Sequence, residues 1–541
     1  MSDLLANHLL SVVIFLPSAG AVLLALFPGS AAKAARTVAL LVSVLELAVS
    51  IPLWTRFAVG EAGFQMMEKV DWVPAVGISY TVGIDGLSLV LILLTTVLTP
   101  VSLLFSVSHV EKSVRGFSIA FLVLETGMIG SLAALDLALF YVFWEVMLVP
   151  MYFIIGIWGG TRRIYAAMKF FLFTMAGSLL MFLAILYLAA RHRTVTGAWS
   201  FALEDLVTLS LPAGAQAILF FAFALAFAIK VPVFPLHTWL PDAHTEAPTA
   251  GSIILAGVLL KLGVYGYLRF ALSLFPEASL KYAPWVGLLG VIGVVYGALV
   301  AFPQKDMKRL VAYSSVSHLG LVVVGVAAFT SISLSGSILQ MINHGLSTGA
   351  LFLLVGVLYE RRHTREIDAY GGIAGVVPVT TALFLVATFS SIGLPGLNGF
   401  VGEFLVLLGT WGSAHRWWAV VAATGVILSA IYMLSLVQRV FWNPLSHDEN
   451  RTLREIRPSE LVAAAVLIAG MIWIGVRPND LLSRLSPTVD AIRSDVLEKT
   501  SASRSGRPAR APRAVENTAL RIARPPATSA TGSASAAGGS R

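Results

Sequence analysis

The sequence predicts an all-α polytopic membrane protein, and three observations support this: composition, a series of apolar stretches, and an uneven distribution of basic residues. Only 12% of the 541 residues are charged and 57% are hydrophobic, whereas soluble domains carry about 25% charged residues. The mean hydropathy of +0.84 agrees with this. Since one spanning helix uses about 20 residues, the chain is long enough for a single bundle of many helices.

About fourteen apolar stretches of spanning length follow one another along the chain, and each is expected to be a transmembrane helix. Their centres lie near Leu16, Leu45, Leu93, Leu124, Glu145, Met181, Phe223, Leu259, Gly293, Val323, Gly349, Phe389, Ile427 and Leu467.

The lysines and arginines of the short loops are unevenly divided between the two sides of the predicted bundle. Seventeen lie on one side, between Lys33 and Arg457, and seven lie on the other, between Arg56 and Arg416. Because cytoplasmic loops carry the excess of basic residues, we expect the first set in the cytoplasm and both termini on the outer side. The net charge of +8 is therefore mostly a topology signal. We expect the lipid bilayer, and not nucleic acid, as the partner of this surface.

The composition changes after the last predicted span, 459–476. Residues 477–541 are basic, and from Ser501 onward the segment has too few apolar residues to form a core. We therefore predict that 477–541 is a largely disordered C-terminal tail.

Six ionisable residues lie at membrane depth within or at the ends of the predicted spans. They are Glu145, Lys230, Lys261, His318, His344 and Glu403. A lysine at the centre of a spanning helix costs about 2.5–3.5 kcal/mol on insertion scales, and such residues usually mark ion or substrate pathways. One such residue could simply pin two helices together, but six spread over several helices favour a proton relay.

Other polar residues in the spans carry weaker signals. Ser314, Ser317 and His318 fall on one helical face and are candidates to extend the relay. Glu46 and Glu125 also lie within spans, but no strongly polar residues surround them, and a structural role is the favoured interpretation.

Two predicted spans contain helix-breaking sequences. The first, "AIKVPVFPLHTWLP" at 228–241, places Pro232 and Pro235 beside Lys230, and the second, "SSIGLPGLNGFVGEF" at 390–404, contains Pro395 and several glycines. Proline removes a helical hydrogen bond, and the freed backbone is tolerated in a membrane only inside protein or a watery cavity. A pair of interrupted spans in two halves points to inverted repeats with an ion path between them. Two unrelated proline kinks are the alternative.

Cofactor and metal sites are not expected in this chain. Cysteine is absent, which excludes disulfides, thiolate catalysis and cysteine-bound iron–sulfur clusters. The segment around His237, Asp242, His244 and Glu246 offers metal-ligand types, but Pro241 interrupts it and no zinc-binding spacing occurs. No glycine-rich phosphate loop and no nucleophile elbow are present.

Five segments resemble the antiporter-like subunits of respiratory complex I: "FYVFWEVMLVPMYFIIGIWGG", "FAIKVPVFPLHTWLPDAHTEAPTAGSIILAGVLLKLG", "AYSSVSHLG", "INHG" and "GLPGLNGFVGEF". The resemblance implies two inverted five-helix repeats, at 111–272 and 280–443, each with a broken helix, preceded by N-terminal transmembrane helices over 1–110. It also implies that the chain translocates protons.

The resemblance assigns a role to each buried ionisable residue. It implies that Glu145 pairs with a lysine, that Lys230 is the broken-helix lysine, and that Lys261 links two half-channels. His318 and His344 match relay positions, and Glu403 matches the terminal proton site of the second half. His237, just beyond the first break, is an additional candidate.

Glu403 and the chain length favour one member of the family. Subunits L and N usually carry lysine at the position of Glu403 and subunit M carries glutamate, while the chain lacks room for the long lateral helix of subunit L. This implies other complex I membrane subunits as partners, especially L and N, in a bacterial plasma membrane. Flavin, iron–sulfur clusters and quinone are expected in partner subunits. Three alternatives remain open: a subunit of a multisubunit cation/proton antiporter, a subunit of a membrane-bound hydrogenase, and a stand-alone ion-coupled substrate transporter.

Overall fold

The computed structural model describes residues 8–505. The first half of this range contains α1 (Leu9–Ala25), α2 (Ala32–Thr55), β1 (Gln65–Val73), β2 (Ile78–Ile84), α3 (Gly86–Ser106), α4 (Val114–Ala133), α5 (Leu137–Val146), α6 (Leu148–Trp158), α7 (Arg163–Thr196), α8 (Leu203–Leu206), α9 (Ala213–Lys230), α10 (Trp239–Glu246), α11 (Thr249–Ile254), α12 (Lys261–Gly266) and α13 (Leu272–Leu274). The second half contains α14 (Pro276–Ala301), α15 (Met307–Ala328), α16 (Ser331–Arg362), α17 (Pro378–Ser391), α18 (Asn398–Trp411), α19 (Arg416–Val437), α20 (Pro458–Val476) and α21 (Asn479–Ser505).

The helices have the length and composition of a multi-pass membrane protein. Twelve helical segments in the described range are long and apolar enough to cross a membrane, where Leu137–Trp158 (α5 and α6) and Thr249–Leu274 (α11 to α13) each count as one segment. Helices α1 and α17 are shorter but also apolar. Each of the fourteen predicted span centres lies in one of these helices. Large apolar side chains such as Val22, Ile218 and Ile427 are exposed on the outside of the bundle. Lipid would cover such a surface, which soluble proteins rarely display.

Helices α15 and α16 lie at the centre of the bundle, together with the helical segment Thr249–Leu274, whose apolar window is 94% buried. The apolar window of α15 is 94% buried and that of α16 is 100% buried, whereas the windows of α2 and α20 are 28% and 33% buried. Helices α15 and α16 carry His318 and His344, respectively. The fold therefore holds both histidines away from lipid.

Aspartates fix where three of the spanning helices begin. The side chain of Asp85 accepts from the amide of Ser88 at the start of α3, and Asp136 caps α5 in the same way. Asp306 caps α15 through the amides of Lys308 and Arg309, at 2.8 and 3.0 Å. A side chain at this position satisfies amides that lack a helical partner.

Residues 1–110, for which only transmembrane helices are predicted, also contain a β-hairpin. Strands β1 and β2 pair antiparallel, with Lys69 opposite Thr81. The segment "ISYTVGI" of β2 is rich in β-branched residues and largely buried, as strand formation favours. These residues lie between two spans, where the span pattern alone predicts only a connection.

The predicted tail also contains ordered structure. Residues 479–505 form α21, so the prediction that 477–541 is largely disordered is wrong for this part. Leu481, Leu485, Val489 and Val496 are buried, and their spacing puts them on one helical face that packs on the bundle. The amide of Gly86 donates to Thr488 Oγ1 at 3.1 Å, which ties α21 to α3. Residues 506–541, which the same prediction covers, lie outside the described residues.

Candidate functional site

The first predicted break is present at Lys230. Helix α9 ends at Lys230, a turn of non-helical backbone follows, and the chain becomes helical again at Leu236–Thr238 and in α10. The indole nitrogen of Trp239 donates to the carbonyl of Ile229 at 2.9 Å. A carbonyl left without its helical donor is thereby satisfied inside the protein, as a membrane environment requires.

Lys230 lies in an aromatic setting with a carboxylate close by. Its side chain is buried, and its Nζ lies 4.9 Å from the ring centroid of Trp144 and 5.9 Å from that of Phe170. Glu145 is within electrostatic range of Lys230, and one of its carboxylate oxygens is buried without a hydrogen-bond partner. The two groups do not form one of the ion pairs within 4 Å among the described residues, so they are neighbours and not a contact pair.

Lys261 and His344 are in direct contact. Lys261 Nζ is 2.7 Å from His344 Nδ1, and it also donates to the carbonyl of Ala256. Both side chains are buried. The arrangement lets one proton be shared between an amine and an imidazole.

Two features of the backbone bring these side chains together. The helix that carries Lys261 is π-helical over Leu255–Leu259 and again over Tyr267–Ala271, and such wide turns are frequent at functional sites. A Cβ atom at Gly345 would lie 2.9 Å from the carbonyl oxygen of Gly257. The absence of a side chain at Gly345 therefore allows α16 to approach the helix of Lys261.

His318 continues the cluster from His344 to Glu403. The ring centroids of His318 and His344 are 6.0 Å apart, and His318 Nδ1 is 3.3 Å from Glu403 Oε1. The other ring nitrogen, Nε2, is 3.3 Å from the hydroxyl of Ser391. Since each nitrogen faces a different partner, the imidazole can take up a proton on one side and release it on the other.

The second predicted break supports Glu403. Helix α17 ends at Ser391 and α18 begins at Asn398. Asn343 Nδ2 of the central helix α16 donates to the carbonyl of Asn398 at 2.7 Å. Gln340 of the same helix donates to Glu403 Oε1 at 3.4 Å. The break is thus closed by polar side chains that also orient the carboxylate.

The structure separates His237 and two predicted serines from the cluster. His237 is buried against the rings of Phe234, Tyr296 and Tyr313, and no hydrogen bond or ion pair in the described chain joins it to the other predicted site residues. The hydroxyls of Ser314 and Ser317 donate to the carbonyls of Val311 and Val294, at 2.7 and 2.8 Å. In this arrangement they do not bond to His318, although all three share a helix face.

Three site residues were missed in the sequence. Ser391 and Gln340 carry no individual signal and are found only through their contacts with His318 and Glu403. The sequence marks His244 only as a metal-ligand type. It is fully buried, stacks on Phe352 at 4.6 Å and has no hydrogen-bond partner on either ring nitrogen. It lies within electrostatic range of Lys261 and Lys308. Within 8–505, no group of three ligand-type side chains could hold a metal ion.

A polar cavity of about 380 Å³ lies next to Lys308, at the ends of the helices where the basic loops are concentrated. Its charged and polar lining includes His109, Glu246, Lys308, Glu360 and Arg365. Lys308 is buried, and its Nζ donates to the carbonyl of Ala247 at 2.5 Å. A polar cavity of this size has room for water.

Comparison with known proteins places the chain in a family. A family model described as "NADH:quinone oxidoreductase/Mrp antiporter, TM" matches residues 134–431. The chain is 43% identical over 480 residues to NADH-quinone oxidoreductase subunit M of Rickettsia prowazekii (strain Madrid E), with 88% of this chain and 96% of the relative covered. It is 45% identical over 494 residues to the subunit M of Rhodobacter capsulatus, with 89% and 96% covered. The chain belongs to the NADH-quinone oxidoreductase subunit M family.

A solved structure agrees with this membership. A chain of respiratory complex I from Thermus thermophilus with bound NADH matches with a TM-score of 0.81 and 34% identity, over 90% of this chain and 99% of that one. The resemblance of the motifs to complex I antiporter-like subunits is therefore confirmed. All six ionisable residues of the predicted relay lie within the matched 134–431, whereas the hairpin and α21 of this subunit M family member lie outside it.

Proposed function

We propose that the chain is a membrane-arm subunit of respiratory complex I that moves protons through Glu145, Lys230, Lys261, His344, His318 and Glu403. The observation that carries this proposal is the buried row that begins with the 2.7 Å contact between Lys261 and His344 and reaches Glu403 through His318. Every member of the row has a side chain that can bind a proton, and all four are buried inside the bundle.

Proton transfer along this row needs only small movements. A proton on the Lys261 amine passes to His344 Nδ1 along their hydrogen bond, which leaves a neutral amine and an imidazolium. The 6.0 Å between the two imidazole centroids is suited to transfer through one water or a ring rotation. His318 Nδ1 then exchanges the proton with the Glu403 carboxylate. Each step transfers one proton and consumes no other reactant.

The cavity beside Lys308 supports an access route from the cytoplasmic side. Water that enters the cavity would reach Lys308, which lines it, and His244 lies within electrostatic range of both Lys308 and Lys261. Because both nitrogens of His244 lack a hydrogen-bond partner in the described chain, either could bind a proton that arrives from the side of the cavity. This route would connect the basic side of the membrane to the start of the row.

Glu145 and Lys230 form the corresponding pair of the first half. We assign the two inverted repeats to 111–272 and 280–443, with one broken helix in each. Electron transfer from NADH to quinone would occur in partner subunits, which hold the flavin and iron–sulfur clusters, and subunits L and N would be the neighbours in a bacterial plasma membrane. Both termini would face the outer side.

The test is Lys261→Ala in the assembled complex in inside-out membrane vesicles, with NADH oxidation and acidification of the vesicle interior both measured. We expect both to fall strongly, because the row loses its first member and the two activities are coupled. The control is Lys281→Ala, which removes an exposed lysine and should leave both activities unchanged. Wild-type pumping by fully assembled Lys261→Ala complex would disprove the relay.

A cation/proton antiporter is the second candidate, since the matching family description also names the Mrp antiporter. The same vesicles discriminate the two functions. Proton movement driven by an imposed sodium gradient in the absence of NADH, and lost in Lys261→Ala, would favour antiport.

A further inference from the structure

Two glutamates lie inside the bundle but outside the proposed relay. Glu46 is near the middle of α2 and Glu125 is near the middle of α4. Both side chains are 0% exposed, and the two carboxyl groups lie within electrostatic range of each other. The two helices pack together, as well as against α1 and α3. The pair therefore lies among the N-terminal helices.

Neither carboxyl group has a compensating partner. All four oxygens of Glu46 and Glu125 are buried without a hydrogen-bond partner in the described chain. The hydroxyl of Thr99 lies near Glu125, but it donates to the carbonyl of Thr95 at 3.1 Å. A buried polar group without a partner is costly, and an unpaired buried charge is far more so.

The basic residues on the same helices are distant. Arg36 and Arg115 each lie ten residues before a glutamate of the pair, which is about 15 Å along a helix at 1.5 Å per residue. Their guanidinium groups donate to the carbonyls of Val110 and Phe27 at the helix ends. Arg56 lies equally far beyond Glu46.

Among the described residues, the neighbouring helices supply no ion-pair partner to Glu46 or Glu125. Helices α1 and α3 contain no ionisable side chain. Among the other helices packed on α4, Tyr141 of α5 interacts with Glu145, Tyr152 of α6 donates to Met168, and Tyr265 of α12 donates to the carbonyl of Leu132. Lys261 is bonded to His344, and Tyr80 of β2 is bonded to Ser11.

Hydroxyl groups extend from the pair along the helix contacts. Ser43, Glu46 and Ser50 recur on one face of α2 and are all 0% exposed. Ser50 and Thr96 of α3 share a hydrogen bond of 2.9 Å. Next to Glu125, Thr126 accepts from Ser18 of α1 at 2.8 Å. Polar residues thus form a seam through helices that are otherwise apolar.

We propose that Glu46 and Glu125 form a proton-binding site, in which at least one carboxyl group of the pair is protonated at neutral pH. Ionising both would place two like charges together at membrane depth, where each alone costs about 2.5–3.5 kcal/mol on insertion scales. Binding a proton removes one of the two charges and gives the protonated carboxyl group an O–H donor. Protonation of the pair is independent of transport through the Lys261–Glu403 row, because it is a property of the resting protein.

Infrared spectroscopy of the intact assembled complex tests the proposal. We compare the wild type at neutral pH with Glu46→Gln and with Glu125→Gln, because an amide has nearly the shape of a carboxylic acid. The wild-type-minus-variant spectrum of at least one variant should contain the carbonyl band of a protonated carboxylic acid. Glu61→Gln is the control, because Glu61 is exposed and should contribute only the bands of an ionised carboxylate.

Bands of an ionised carboxylate, or no change, in both variants would overturn the proposal. If a glutamine variant does not assemble, the aspartate variant at that position replaces it, since it keeps the carboxyl group and shifts its carbonyl band. The infrared result stands whether or not Lys261→Ala pumps protons, so the two proposals fail separately.

Discussion

Gly393 is expected to position the Glu403 carboxylate, and Gly393→Ala tests this directly. Gly393 has a φ of +74° in the second helix break, and a Cβ atom there would lie 2.5 Å from Glu403 Oε2. An ordinary contact begins near 3.4 Å, so the carboxylate would have to move by about 0.9 Å. The other oxygen, Oε1, which is 3.3 Å from His318 Nδ1, moves with it because the carboxylate is rigid. If the carboxylate moves away from His318, the 3.3 Å contact lengthens to about 4 Å, which is beyond hydrogen-bonding distance.

The expected loss can be estimated from this contact. A hydrogen bond to a charged group contributes about 1.5–3 kcal/mol, and about 1.4 kcal/mol corresponds to a tenfold change in rate. We therefore expect proton pumping by Gly393→Ala to fall about 10- to 100-fold. The assay is vesicle acidification per assembled complex with NADH as the substrate.

Gly396→Ala is the matched control, because Gly396 lies in the same break with a φ of +93°, and a Cβ atom there would meet no other atom within 4 Å. Both variants carry the backbone strain of a left-handed conformation, about 1–2 kcal/mol, so both should lower the melting temperature similarly. Only Gly393→Ala should lower pumping by the amount given. Equal pumping by the two variants would refute the positioning role of Gly393.

Two further predictions concern the helix ends near which the basic loops are concentrated. Glu460→Gln should destabilise the protein by about 3–5 kcal/mol because it breaks a buried ion pair, in which Glu460 is 2.6 Å from Arg361 and 3.1 Å from His109. The control is Glu449→Gln, which breaks an exposed pair with Arg362 and should change stability by less than about 1 kcal/mol. Similar melting temperatures for the two variants would contradict the prediction. Burial alone would raise the pKa of Glu455, but hydrogen bonds from the Thr380 hydroxyl and from the amides of Ile456, Val379 and Thr380 outweigh it and hold the pKa below its usual value. The stabilisation by Glu455 is therefore present above the pKa of the unfolded state and is lost as the pH falls through the lower pKa of the folded state. Over that acidic range, the melting temperature should fall less steeply with decreasing pH for Glu455→Gln than for the wild type. Parallel curves for the two proteins would contradict this prediction.

The sequence was sufficient for the helices and for the candidate residues, because both depend on local composition. An apolar stretch of about 20 residues has the length of a membrane-spanning helix, and a lysine or glutamate within it stands out without any knowledge of its neighbours. The two proline-containing segments, around Pro232 and Pro395, were likewise recognised as breaks because proline acts on its own backbone. Both breaks occur where they were predicted.

Features that depend on tertiary contacts were missed. The apolar residues of α21 are few, and composition alone does not distinguish a disordered segment from a helix with one stripe of leucines and valines. The π-helical turns before and after α12 have no local signal, because each depends on packing against neighbouring helices. Ser391 and Gln340 became site residues only when α17 and α16 were placed beside His318.

The two groups of titratable residues are not joined in this structure. No hydrogen bond or ion pair in the described chain links Lys230 to Lys261, whereas Lys261, His344, His318 and Glu403 follow one another at short range. An unbroken row across the whole bundle would let protons return down their gradient, so a pump needs at least one interruption that closes and opens. In the proposed relay, the interval between Lys230 and Lys261 would be that interruption. A conformational change that moves Lys230 relative to Glu145, or admits water beside Lys261, would then control when the Lys261–Glu403 row receives a proton.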